Sequence, residues 1–573
     1  MFDARHGDSN PISAYPSLSL PRLRRREGCV DLIVDGEPFI ALAGEVHNSS
    51  ASDLEYMEQV WDRMADLNCN TAIVPIYWEL FEPAEGKFDF TLVDGLIDGA
   101  RAHGMRLVLL WFATWKNTES SYAPAWVKRD IDRFPRVQDA RGVNTGRISA
   151  WSREARDADA RAFTALMRHV RAVDAERATV LMVQVQNEVG LLGMSRDHRP
   201  EAERDFRGPV PQELLQRIVS DRQSAHPVLV QAWQEAGARD AGSWEEAFGD
   251  RADEAFMAWH IASFVEHIAA SGKAEYPLPL FVNAWLVQHA GERPGAYPSG
   301  GPVAHMIDVW RAAAPSIDFL APDIYLDDFA GVCAEYAVSG NPLFIPEARR
   351  DPSCAACAFY AIAEHDAIGF APFGIESIGT HRDHAIVGPV ADASLTPDAQ
   401  YDGALLARTY ELLRQLAPVL REHRGSGRLR GVLLSQGQTG AVRDDRGATA
   451  SDILQFERYQ ARVEYRAAPA GGLIAALSED EFLIAGFGIS VVFEPRCPES
   501  RAGIVALQEG RFQDGRWIAG RRLNGDEGGV RLGTRPEVRR MTLYQWPLHS
   551  APAAPDPGVQ SSDGENNGSQ ARR

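Results

Sequence analysis

The chain has 573 residues, 45% of them hydrophobic, with thirteen tryptophans and a formal net charge of -20. That length calls for more than one core, so at least two domains are expected. The acidic surplus leaves no basic excess to neutralise phosphates, which argues against nucleic acid and an anionic membrane surface as partners and favours a small neutral or cationic ligand.

Residues 1–29 are polar and proline-bearing and read as an irregular leader. They lack the continuous apolar stretch of a signal peptide, and no later segment reaches membrane-spanning length, so a cytoplasmic protein is expected. A hairpin follows over 30–39, turning at Asp35-Gly36. Strands and helices then alternate: strands over 39–47, 71–78 and 106–115, with amphipathic helices over 54–67 and 91–103 between them. An insertion carrying Tyr122-Ala-Pro-Ala-Trp126 leads to a helix over 157–173 and a fourth strand over 179–188. A long helical excursion over 201–271 precedes strands over 278–285, 317–325, 342–347 and 367–374. A helix over 401–420 closes the unit.

Eight strands alternating with helices predict an α/β fold, a (β/α)8 TIM barrel over residues 30–424. A doubly wound open sheet would carry a glycine-rich turn after its first strand, and this chain has none. From 425 the texture changes to short strands and glycine turns, which predicts a smaller β-sandwich-like accessory domain over 425–550. The tail over 551–573 is rich in Pro, Ser, Gly and Asn and reads as disordered. Six cysteines are scattered along the chain. Cys354 and Cys357 form an isolated pair at a helix start and read as packing thiols, and no group of histidines shows metal-ligand spacing. No metal and no cofactor is expected.

The fourth strand ends on Asn187 and Glu188, a carboxamide and a carboxylate after a run buried on both faces. One such strand is equally well a core strand followed by a solvated glutamate. A second of the same design, Pro342-Leu-Phe-Ile-Pro-Glu347, changes the balance. Barrel enzymes carry their chemistry at the carboxyl ends of the strands. Those ends hold Glu45, His47, Trp78, Glu79, Trp115, Asn187, Glu188, Asn283, Trp285, Tyr325 and Glu347, with Glu376 just beyond the eighth. Any single aromatic here is more often core, but aromatics, carboxamides and acids together suit a sugar. Glu188 and Glu347 would face one another across the mouth. Two carboxyls about 5–5.5 Å apart allow retaining glycoside hydrolysis, one as acid and base, the other as nucleophile. Asn187 would hold the sugar's 2-hydroxyl, Tyr325 would orient the nucleophile, and Arg349 would supply positive charge beside it.

These residues resemble the clan A glycoside hydrolases. Val183-Gln-Val-Gln-Asn-Glu-Val-Gly190 is similar to the acid/base segment of family 35, the β-galactosidases. Gly44-Glu-Val-His47, Trp78-Glu-Leu-Phe-Glu-Pro83 and Gly86-Lys-Phe-Asp-Phe90 are similar to that family's first and second strand motifs. Trp111-Phe-Ala-Thr-Trp-Lys116 resembles a bacterial branch with a β-rich C-terminal domain. The resemblance implies Glu188 as acid/base, Glu347 as nucleophile, Asn187 as a sugar ligand, and hydrolysis of terminal β-galactosides. It also implies a homo-oligomer, which no residue shows by itself. Many members carry Glu where Gln186 and Thr114 stand here, and Tyr where Asn48 stands. Galactose preference is therefore less firmly implied than the two-carboxylate chemistry. The alternatives are a family 42-like or other β-glycosidase, or a carbohydrate-binding protein without catalysis.

Overall fold

The computed structural model describes residues 20–220, 225–378, 403–434, 450–513, 515–525 and 529–549. The tail over 551–573 and the start of the 401–420 helix lie outside them. Eight parallel strands form the expected barrel. In chain order they are Ala41–Glu45, Thr71–Tyr77, Arg106–Lys116, Val180–Asn187, Leu280–Trp285, Phe319–Ile324, a seventh in two pieces, and Gly369–Phe370. The second and fourth are buried at every position, which is why their sequences are near-continuous apolar runs.

The seventh strand is where the ring closes. Phe344–Ile345 pairs with the eighth strand, and Glu347–Ala348 pairs with the sixth through Asp323 opposite Glu347. Pro346 lies between the two pieces and has no N–H to give a ladder, so the strand breaks there. The eighth strand pairs in turn with the first, Gly369 opposite Ala41. Helices Leu54–Asp66, Thr91–Ala102, Arg153–Asp174 and Ala252–Glu275 wrap the outside.

Two expectations shift in detail. Residues Arg22–Arg26, placed in the leader by composition, form a strand paired with Cys29–Val34. The arginines make this possible, because Arg24, Arg26 and Arg424 all bind the buried carboxylate of Asp31. The closing helix is two helices, Ala404–Gln415 and Ala417–His423, with Pro418 in the first turn of the second.

Beyond the barrel come a six-stranded and a four-stranded antiparallel sheet. Tyr459, Val463, Phe482, Ile484, Val491 and Leu507 join the two inner faces in one apolar cluster. Leu473, Leu483 and Phe487 of the larger sheet belong instead to the barrel's core cluster. Gly471 lies against Ala356 of helix Cys354–Glu364, so small residues on both sides set a close approach. Cys354 and Cys357 are buried packing residues of that helix.

Candidate active site

The carboxyl ends of strands four, six and seven bring three carboxyls together. One oxygen from each of Glu188, Asp323 and Glu347 lies within 4.8 Å of the other two, and all three side chains are buried. Glu45 of the first strand joins them, 1% exposed, with neither carboxylate oxygen hydrogen-bonded to the protein.

Unpaired charge in such a place is costly, and the groups respond. Burial, followed by the charge of Glu347, pushes the Glu188 carboxyl up to about 8. Burial also holds Glu45 and Asp323 well above the usual carboxylate range, with Glu347 again the largest charged contributor. Lys116, the last residue of strand three and itself buried, opposes the rise at all three. Arg349, two residues beyond Glu347, pairs with Asp327 at 2.8 Å.

The main chain carrying Glu188 is unusual. Gln186 and Glu188 both have positive φ, 66° and 43°, on either side of Asn187. Left-handed backbone at a residue with a side chain costs about 1–3 kcal/mol and persists only where surroundings enforce it. Here they do. The Gln186 side chain accepts from the Trp115 N–H at 2.8 Å and donates to buried Asp159 at 2.7 Å. Asp159 also accepts from Trp111 Nε1 and the Thr114 hydroxyl, and burial pushes its carboxyl up to about 6. The Glu188 N–H donates to Asn283 Oδ1 at 2.9 Å, and its carbonyl accepts from the Thr118 N–H at 3.1 Å. Asn187, bracketed in this way, has both side-chain polar atoms buried and unpaired.

The other residues singled out by sequence take varied places. Tyr325 donates its hydroxyl to Glu347 Oε2 at 2.6 Å. Asn283 is occupied at both ends, accepting from Glu188 N–H and donating to Asp323 Oδ2 at 2.7 Å. Glu376 accepts from the His47 N–H at 3.0 Å and from the Ser50 hydroxyl, leaving Oε2 buried and unpaired. The His47 ring contacts the Ser377 hydroxyl at 2.7 Å. Trp78 and Trp115 are enclosed, their indole N–H groups donating to Glu82 and to the Ile148 carbonyl. Glu79 is half-buried and pairs with Lys128 at 2.8 Å. Trp285 ends strand five, partly exposed.

Asp323, Lys116 and Asp159 were not singled out from the sequence. Asp323 had the same signal as Glu188, an acidic residue at the carboxyl end of an otherwise apolar strand, masked by the more familiar Tyr325. Asp159 had none, sitting one helix away among charged neighbours.

Residues 48–236 match the family model described as Beta-galactosidase, that of family 42, and residues 406–533 match a domain of unknown function, DUF5597. No curated protein matches the chain in sequence. Among solved structures, the β-galactosidase from Bacillus circulans sp. alkalophilus is 16% identical, with 66% of this chain and 56% of that one covered at a TM-score of 0.43. The β-galactosidase from Rahnella sp. R3 is 18% identical, covering 58% and 50% at a TM-score of 0.40. That from Marinomonas ef1 is 13% identical, covering 67% and 60% at 0.41. The chain thus spans only half to three-fifths of the length of these proteins. The matching family is 42, the alternative weighed above, rather than 35. Both lie in clan A, so the matched segment is similar to a clan A glycoside hydrolase.

Proposed function

We propose that the protein is a retaining β-glycosidase that releases a terminal β-D-galactosyl residue from small β-galactosides. The observation that carries this reading is the separation of the Glu188 and Glu347 carboxyls, with oxygens within 4.8 Å. That spacing suits direct attack on the anomeric carbon and leaves little room for the water an inverting enzyme places between the pair.

Glu347 attacks the anomeric carbon while Glu188, protonated by virtue of its raised pKa, gives its proton to the departing oxygen. A covalent glycosyl-enzyme results. Glu188, now ionised, takes a proton from water, which attacks the same carbon and releases the sugar with its configuration retained. Tyr325 holds Glu347 Oε2, directing the other oxygen, which is unpaired, toward substrate. Asn187 offers a free donor and acceptor for the 2-hydroxyl, a contact that strengthens in the oxocarbenium-like state.

The test is incubation with an aryl β-galactoside and with a 2-fluoro-galactosyl inactivator. Release of the aryl group, β-galactose as first product by NMR, and label on Glu347 are expected. Label on another residue, or α-galactose first, would sink the reading. A second reading, another β-glycoside as preferred substrate, has support in strand three. The Thr114 hydroxyl is committed to Asp159, so that strand offers no acid to grip a sugar, while Glu45 has both carboxylate oxygens buried and unpaired. A panel of aryl β-glycosides separates the two.

A further inference from the structure

The site holds acids that the proposed chemistry does not use, and Asp323 is one of them. Asp323 is 3% exposed, and its two oxygens have different surroundings. Oδ2 accepts from Asn283 Nδ2 at 2.7 Å, while Oδ1 is buried with no donor from the protein. A side-chain oxygen of Asp323 also lies within 4.8 Å of oxygens of both Glu188 and Glu347. The groups facing it are Glu188 after strand four, Glu347 from strand seven, Glu45 from strand one, Tyr325 just beyond its own strand, Tyr336, and the cation Lys116. Asn283, its direct partner, spends its other end on the Glu188 main chain.

We infer that Asp323 is a neutral carboxylic acid at the heart of this site, a positioning residue that holds the acid/base Glu188. Its Oδ2 anchors Asn283, and Asn283 fixes the left-handed main chain at Glu188. Its Oδ1 bears a proton and donates toward the neighbouring carboxyls. A buried oxygen without a donor, flanked by two other acids, is a poor place for negative charge but a suitable one for an O–H. The raised pKa of the group agrees. The neutral acid adds a donor to the cluster without a third negative charge, so Glu188 can still lose its proton in the second half-reaction. This inference rests on the assignment of Glu188 as acid/base.

Asparagine is the near-isostere of the neutral acid, able to accept from Asn283 and to donate where the O–H did. Asp323→Asn is therefore expected to keep turnover of an aryl glycoside within about tenfold, with the alkaline limb of kcat/KM unmoved. Were Asp323 ionised, removing its charge so close to Glu188 would lower that limb by about two pH units, which overturns the inference. Asp323→Ala orphans Asn283 and is expected to lower kcat a hundredfold with KM little changed; unaltered kcat would overturn the positioning role. Should the amide not fold, Asp323→Thr, also neutral, is read by the same limb. The parent assignment is tested apart, since Glu188→Ala rescued by azide yields a β-glycosyl azide whatever Asp323 does. Failure of rescue sinks the assignment, whereas rescue with a shifted limb in Asp323→Asn sinks only this inference.

Discussion

The carboxamide of Asn283 reaches from strand five to strand four and accepts the main-chain N–H of Glu188 at 2.9 Å. Asn283 is thus part of the frame around Glu188, the proposed acid. Asn283→Ala is expected to lower kcat about a hundredfold with a smaller change in KM, because Glu188 loses its direction rather than its binding partner. Steady-state kinetics with an aryl glycoside check this. An unchanged kcat would mean the strained backbone holds without Asn283.

The carboxyl of Glu188 is raised to about 8 by burial and by the charge of Glu347. As general acid it must be protonated in the free enzyme, so kcat/KM is expected to fall as pH rises through about 8. Substrates with very acidic leaving groups need less proton donation and should lose less over the same range. A limb near 5 instead would show Glu188 to be ionised in the resting site.

Glu347→Gln is expected to abolish turnover, by about 10^4-fold or more, if Glu347 forms the covalent bond as proposed. Glu188→Gln should cost about 10²–10⁴-fold, and least for activated aryl glycosides. Tyr325→Phe removes the donor to Glu347 Oε2 and should lower kcat about tenfold to a hundredfold, more than it raises KM. Wild-type rates in either glutamine variant would end the two-carboxylate account.

Gly190 follows the acid closely, with φ of 137°, and a Cβ there would lie 2.5 Å from the Pro298 side chain. The adjacent Leu191 pairs with Ser299 main chain to main chain, tying the loop after strand four to that after strand five. Gly190→Ala is therefore expected to destabilise by roughly 2 kcal/mol or more, seen as a lower Tm, and to reduce activity more than stability alone explains.

Much of this was legible in the sequence because the barrel's strands are apolar runs ending in polar residues. Glu188, Glu347 and Tyr325 each stand at such an end, and the structure brings all three to one place. What sequence does not carry is the choice each polar side chain makes among neighbours. Trp78 and Trp115 stand at strand ends as Tyr325 does, yet their indoles turn into the protein to satisfy Glu82 and Ile148. Asp159 supports strand four from a helix, a contact across 27 positions to Gln186 that no local pattern encodes. Strand Arg22–Arg26 was hidden for a similar reason. Its four arginines look like a solvated leader until Asp31 is seen to gather two of them.

The break at Pro346 joins architecture to chemistry. The short piece that completes the ring beside strand six is only two residues long, and the first of them is Glu347. The proposed nucleophile is thus also a keystone, and a barrel that has not shut does not hold it in position. On the proposed reading an open seam leaves no competent site, so loosening it would lower activity before the barrel unfolds.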